Sequence, residues 1–227
     1  MFILKLVLNL CLSAAFFAVL LFFPAQTLHW WRAWVLLALG FLGSTAALIG
    51  LARGNAGLVN ERLKPPLQKG QPLADKIILF LYLVTILGLF LFIPLDVFRL
   101  HLMGKPGALV SSLGLVLAFA GWWLVYFALK ENAFAAVVVK HQKERQQTVV
   151  DTGVYGIIRH PLYAGGALTA MSIPLWLESY AAALLSVVPI AIVALRIVFE
   201  ERFLRRELTG YEAYTQRVHY RLIPFVW

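Results

Sequence analysis

Apolar residues fall in six blocks along the chain, roughly 3–23, 30–52, 77–98, 108–129, 162–178 and 180–199, divided by short polar links. Most approach the ~20 residues a helix needs to cross a bilayer core. The pattern predicts an all-α, polytopic transmembrane helical bundle. The fifth block differs from the first four: it is short and holds Gly165, Gly166 and Pro174. Small residues let helices approach closely in membranes and proline bends them. Glu178-Ser179 makes a turn into the sixth block, so the last two read as a short hairpin. Its two ends meet on one side, which brings Arg159-His160 near Arg196 and Glu200.

The links carry their own signals. Pro24 to His29 is a tight connection, and Trp30, Trp31 and Trp34 at its far edge read as an interfacial belt. In the stretch Arg53 to Lys76, Pro65-Pro66 stops any helix, and the stretch reads as a solvated connector touching headgroups. From Lys130 to Arg159 runs the longest polar region, long enough in a compact bundle to imply function or disorder. Valines at 137–139 and 149–150 favour short ordered pieces, hence an ordered cytosolic cap.

Composition sharpens this reading. Hydrophobic residues make up 61% of the 227 and charged ones only 14%, against about 25% charged in a soluble domain. The chain suits one bundle. Its net charge of +9 does not call for nucleic acid, because the charges are sorted by side. With the N-terminus cytosolic, every Lys and Arg except Arg32, Arg99 and Lys105 falls inside, Lys5, Lys69 and Lys143 among them. That is the positive-inside bias, and anionic inner-leaflet lipid is the neighbour it implies. Both termini are then cytosolic. The first block continues to Phe23 before Pro24 with no small-x-small site after it, so it reads as a retained helix rather than a cleaved signal.

Candidate chemistry concentrates late in the chain. Cys11 stands alone inside the first block and reads as a small apolar residue. His29, His101, His141 and His219 are scattered without metal-ligand spacing, so no metal is expected. There is no P-loop, no dinucleotide-type glycine fingerprint and no Gly-x-Ser-x-Gly elbow. What remains is a basic-aromatic group, Arg159, His160 and Tyr163, around a helix opened by Pro161. A helix N-terminus beside a cation favours an anion; headgroup contact by Arg159 with His160 as a cap is the alternative. Arg196 and Glu200 share a helix face at i,i+4 and predict an ion pair, as do Glu201 and Arg205. Tyr211 and Tyr214 read equally as interfacial anchors of an amphipathic tail.

Taken in order, Gly-Val-Tyr at 153–155, Arg-His-Pro-x-Tyr-x-Gly at 159–165, Arg-x-x-x-Glu-Glu-x-x-Leu from Arg196 to Leu204, and Gly-Tyr-x-x-Tyr-x-x-Arg-Val-x-x-Arg-Leu-Ile-Pro at 210–224 resemble the isoprenylcysteine carboxyl methyltransferase family, within the wider group that includes phospholipid N-methyltransferases. The resemblance runs from about Asn132 to Pro224. It implies residues 1–130 as four helices with their loops and 131–227 as a methyltransferase-like catalytic region. It also implies S-adenosyl-L-methionine as cofactor at the cytosolic face. By position, Gln147, Thr148, Val149, Val150, Tyr155, His160, Pro161, Leu162, Tyr163 and Glu200 would bind that cofactor. Gln142 would join them as the upstream glutamine, with Lys140 the alternative. Arg196 would face the reacting group of the substrate, and Arg196 and Glu200 would form the catalytic pair.

Such an enzyme would take a lipophilic acceptor from the bilayer: a prenylated protein, a free isoprenoid or fatty carboxylate, or a phospholipid amine. A bacterial or archaeal cell membrane is the expected setting. Two other readings stay open at this point, an NADPH-dependent reductase of the sterol-reductase type and a non-catalytic membrane scaffold or transporter.

Overall fold

The computed structural model describes residues 2–66, 68, 70–140 and 142–227, with side chains outside 2–5 and Lys143. Lys69 and His141, and the side chains of Lys5 and Lys143, therefore lie outside the described residues. The described chain is helical with no strand. Five helices are long and apolar enough to cross a membrane: Leu6–Ala25, Trp31–Gly54, Leu73–Leu100, Ala108–Glu131 and Tyr180–Glu207. The protein is an integral membrane helical bundle.

In chain order the helices are α1 (Phe2–Ala25), α2 (Trp31–Gly54), α3 (Ala56–Arg62), α4 (Leu73–Leu95), α5 (Ala108–Glu131), α6 (Pro161–Trp176), α7 (Tyr180–Leu185), α8 (Val187–Glu207) and α9 (Tyr211–Arg217). A π-helical turn over Asp96–Leu100 extends α4. The fifth apolar block gives only the 16-residue α6, about 24 Å at 1.5 Å per residue and short of the ~30 Å hydrocarbon core. The sixth block is interrupted by Ser186 between α7 and α8.

The last two blocks were expected to pair as a hairpin. They do touch, and their ends meet through Tyr163–Glu200 and His160–Glu201, but α6 packs more extensively on α5, and α8 on α4. The reason is a seam of small residues. Gly114 and Gly121 on α5 meet Ser172, Thr169 and Gly165 on α6. A Cβ added at Gly165 would stand 2.6 Å from the Gly121 carbonyl oxygen and 2.8 Å from Val125 Cγ2, and one at Gly114 would stand 2.9 Å from the Ser172 carbonyl. Such contact lets backbones approach where lipid supplies no hydrophobic drive. Gly166, by contrast, faces open space. Gly165→Val should therefore destabilise the bundle by about 1–3 kcal/mol through overpacking, while Gly166→Val should be near neutral; thermal unfolding of both variants in detergent checks the contrast.

The two ends of the bundle are distinct. At one, Arg32 donates to the Trp176 carbonyl (3.0 Å), the Trp176 indole donates back to Arg32 O (2.9 Å), and Ser179 donates to Asp96 (2.6 Å). This end closes the links after α1, α4 and α6. Trp30 belongs to its core rather than to an interfacial belt, packed edge-on against Phe22 and Phe98; Trp31 and Trp34 are exposed. At the opposite end meet α3, the 132–160 segment, the end of α8 and the C-terminal segment. Most of the Lys and Arg residues gather there.

Candidate active site

The segment after α5 has little regular structure because Asn132, Pro161 and the intervening polar residues offer the backbone other partners. Asn132 Oδ1 accepts from Phe134 N (2.8 Å) and ends α5. Gly153 adopts φ +54°, and a Cβ there would stand 2.9 Å from Glu131 Cδ. Only glycine is at ease in that left-handed region, so the short 3₁₀ turn Gly153–Gly156 can start where it does and carry Tyr155 inward. Gly210, at φ +86°, likewise turns the chain into α9. Pro161 occupies the first position of α6 and His160 the cap, as the sequence predicts, but the His160 side chain does not cap the helix.

These elements line a cavity that opens to the surface. One wall is the 134–140 segment and another is Gln147–Val150. The start of α6, Tyr155, the end of α8 and α9 close the rest. Of the residues expected to bind a cofactor, Gln147, Thr148, Val149, Val150, Tyr155, His160, Leu162, Tyr163 and Glu200 all line it, as does Lys140. Two do not. Pro161 is buried in the start of α6. Gln142 braces the wall from behind, donating to Phe134 O (2.7 Å) and accepting from Arg145 (2.6 Å).

Sequence reasoning missed part of the lining. Phe134, Leu204, Leu208, Tyr211 and Tyr214 face the cavity. Tyr211 and Tyr214 are 5% and 3% exposed, so they are not interfacial anchors; Tyr214 donates to Tyr155 O (2.8 Å). Burial pushes the Tyr155 phenol up to about 12 and raises both α9 tyrosines, so all three stay neutral donors at any physiological pH. Their regular place in the last motif was the available signal.

The charged groups pair differently from the i,i+4 expectation. Arg196 does not pair with Glu200. Its Nε donates to Asp75 on α4 (2.9 Å) and its Nη2 to the Val137 carbonyl (2.7 Å), and it lies outside the cavity lining, 6% exposed. Glu201 does not pair with Arg205, which instead meets Glu212. Glu201 accepts from Arg159 (2.7 Å) and Arg221 (3.0 Å), with His160 Nε2 at 3.2 Å. Arg159 also donates to the carbonyls of Val218 and His219 (2.6 and 2.8 Å), which fixes the C-terminal segment to α8. It is a buried structural node that also contributes to the cavity lining, and it does not reach out to a headgroup.

Glu200 is thereby the carboxylate that faces the cavity without an ion pair among the described residues. Tyr163 donates to its Oε2 (2.6 Å). Beyond it opens a second hollow, lined by Pro72, Asp75, Phe199, Phe203 and Arg206. Glu200 and Val139 belong to both.

The loop read as a solvated connector turns out to support this site. Glu61 on α3 is 5% exposed and holds Lys140 and Lys64, and Arg62 donates to Ala135 O (2.9 Å). Burial alone would raise the Glu61 carboxyl, but the two lysines outweigh it and hold it below the ordinary carboxylate range.

Residues 109–209 match the family model described as phospholipid methyltransferase. The match opens in α5, takes in the cavity-forming segment, α6, α7 and α8, and closes before α9. No curated protein matches the chain.

Proposed function

We propose that the phospholipid methyltransferase domain of this chain binds S-adenosyl-L-methionine in the cavity beside Glu200 and methylates a lipophilic acceptor arriving from the bilayer. The observation that carries this reading is the shared wall: Glu200 and Val139 separate a cavity at the polar end of the bundle from a hollow between α4 and α8. The lining suits the cofactor's groups. Glu200, a carboxylate without an ion pair among the described residues, fits ribose hydroxyls or an ammonium. The faces of Phe134, Tyr155 and Tyr163 fit an adenine or a sulfonium. The free N–H groups in the first turn of α6 fit a carboxylate.

When bound, the cofactor supplies an electrophilic methyl on a sulfonium. Everything else falls to the chain. Because methyl transfer is an in-line displacement, positioning and exclusion of water are the main demands. The aromatic and valine walls keep water from the reacting line, and Tyr163 fixes the Glu200 rotamer. For an amine acceptor, Glu200 takes the proton as the nitrogen attacks. For a carboxylate acceptor no base is needed, and Glu200 then acts on the cofactor alone. The hollow between α4 and α8, with Phe199 and Phe203 toward lipid and Arg206 at its rim, is the approach for the acceptor. The sorting of Lys and Arg supports a cytosolic setting for this end and for both termini.

Calorimetry with S-adenosylmethionine and S-adenosylhomocysteine on detergent-purified protein tests the reading. Micromolar binding of both is expected, with none for NADPH. Binding of NADPH alone would replace the methyltransferase reading with a reductase.

A further inference from the structure

The cavity wall at 134–140 has no partner strand and no helix of its own. It hangs from side chains: Gln142 and Arg62 hold its start, and one ion pair holds Val137–Val139. Arg196 Nη2 donates to the Val137 carbonyl (2.7 Å), and Asp75 Oδ2 accepts from the Val139 amide (3.0 Å). The same two side chains are bonded to each other, Nε to Oδ1 at 2.9 Å. Two peptide groups of one segment are thus held by the two halves of one ion pair. Gln71 donates to Asp75 Oδ2 as well (2.7 Å), so the carboxylate, 4% exposed, accepts from three donors. Asp75 stands on α4, outside the matched residues 109–209.

We propose that Asp75 is a positioning residue of the transfer site: with Arg196 it brackets Val137–Val139, and so sets the wall that divides the cofactor cavity from the acceptor hollow. The inference rests on the methyltransferase reading of that cavity. Val139 faces both spaces, so a shift of this segment changes the width of each at the point where Glu200 stands. Misplacement by about 1 Å at a transfer site costs up to roughly 100-fold. A merely structural ion pair would not transmit that effect to cofactor affinity.

Asp75→Asn is the test, because it keeps shape while turning one acceptor oxygen into a donor, which must then face either Arg196 or the Gln71 and Val139 N–H groups. Two measurements are made on the full-length protein in detergent: S-adenosylhomocysteine binding by calorimetry, and hydrogen exchange of the backbone amides at 137–140. The expected result is a dissociation constant raised by at least about tenfold, with faster exchange confined to that segment. Native affinity in the variant overturns the proposal, as does unchanged exchange. If Asp75→Asn does not fold, Arg196→Lys serves instead. It keeps a cation against Asp75 and loses the arm to Val137, and native S-adenosylhomocysteine affinity there overturns the proposal equally. Absence of binding by the native protein would remove the methyltransferase reading and this role with it, an outcome distinct from tight native binding that the variants leave unchanged.

Discussion

Glu200→Gln should lower methyl-transfer turnover by about 100- to 10,000-fold while leaving the fold intact. The substitution is nearly isosteric and Glu200 is only half-buried, so the Tyr163 hydroxyl keeps an acceptor. What changes is charge at the shared wall of the two spaces. The other buried carboxylates nearby, Asp75 and Glu201, are each held by several donors and are not free to replace it.

Two measurements separate the roles Glu200 can play. If its main part is to remove a proton from an amine acceptor, turnover falls far more than S-adenosylhomocysteine affinity does. If it holds the cofactor for a carboxylate acceptor, affinity falls with turnover. Labelled methyl transfer into total membrane lipid and into a prenylcysteine analogue supplies the rate, and turnover within threefold of native in both would sink the assignment. Arg196→Ala is a poorer probe. It leaves Asp75 buried without its cation, which costs about 3–5 kcal/mol in itself, so lost activity there would report on the bracket as readily as on a substrate contact.

Residue patterns along the chain carried the membrane architecture well, and for a plain reason. Apolar length is a local property, and crossing a bilayer demands it of each helix separately. Local backbone features were equally visible: Pro161 at the start of α6, and Pro65-Pro66 after the end of α3. Pairing was another matter. The i,i+4 rule describes a helix alone in solvent. Arg196 and Glu201 sit on a helix packed against others, so tertiary partners far along the chain took their donors and acceptors. Asp75 is separated from Arg196 by most of the chain, and nothing in either neighbourhood announces the other.

The α3 region shows the same limit from the opposite direction. Glu61, Arg62 and Lys64 look like a solvated charge run, but only Lys64 is exposed; the burial of Glu61 and the anchoring of Arg62 depend on Lys140 and the Ala135 carbonyl arriving from beyond α5. Likewise, glycine content flagged α6 for close packing, but only the α5 surface decides that Gly165 makes the contact and Gly166 does not.

A large stability effect is expected at Glu201. Its carboxylate is 3% exposed and accepts from Arg159 and Arg221, with His160 in reach. Glu201→Ala removes the acceptor and leaves the Arg159 guanidinium, itself 6% exposed, with carbonyls as its only remaining partners. Breaking one side of a buried pair costs about 3–5 kcal/mol, because the remaining charge stays desolvated. The damage should spread in a definite direction. Arg159 holds the Val218 and His219 carbonyls, and its own backbone N–H and that of His160 donate to Tyr220 and Arg221 (2.9 Å each). The C-terminal segment and α9 should therefore loosen first, before the α5–α6 seam. Thermal unfolding in detergent should show a clear drop for Glu201→Ala and a smaller one for Glu201→Gln, which retains one acceptor oxygen for Arg159. Hydrogen exchange should rise at 211–222 and stay slow in α5. A midpoint unchanged in Glu201→Ala would mean that water reaches Arg159 and that the node is not sealed; loss starting in α5 would mean that the C-terminal segment is held by something other than this carboxylate.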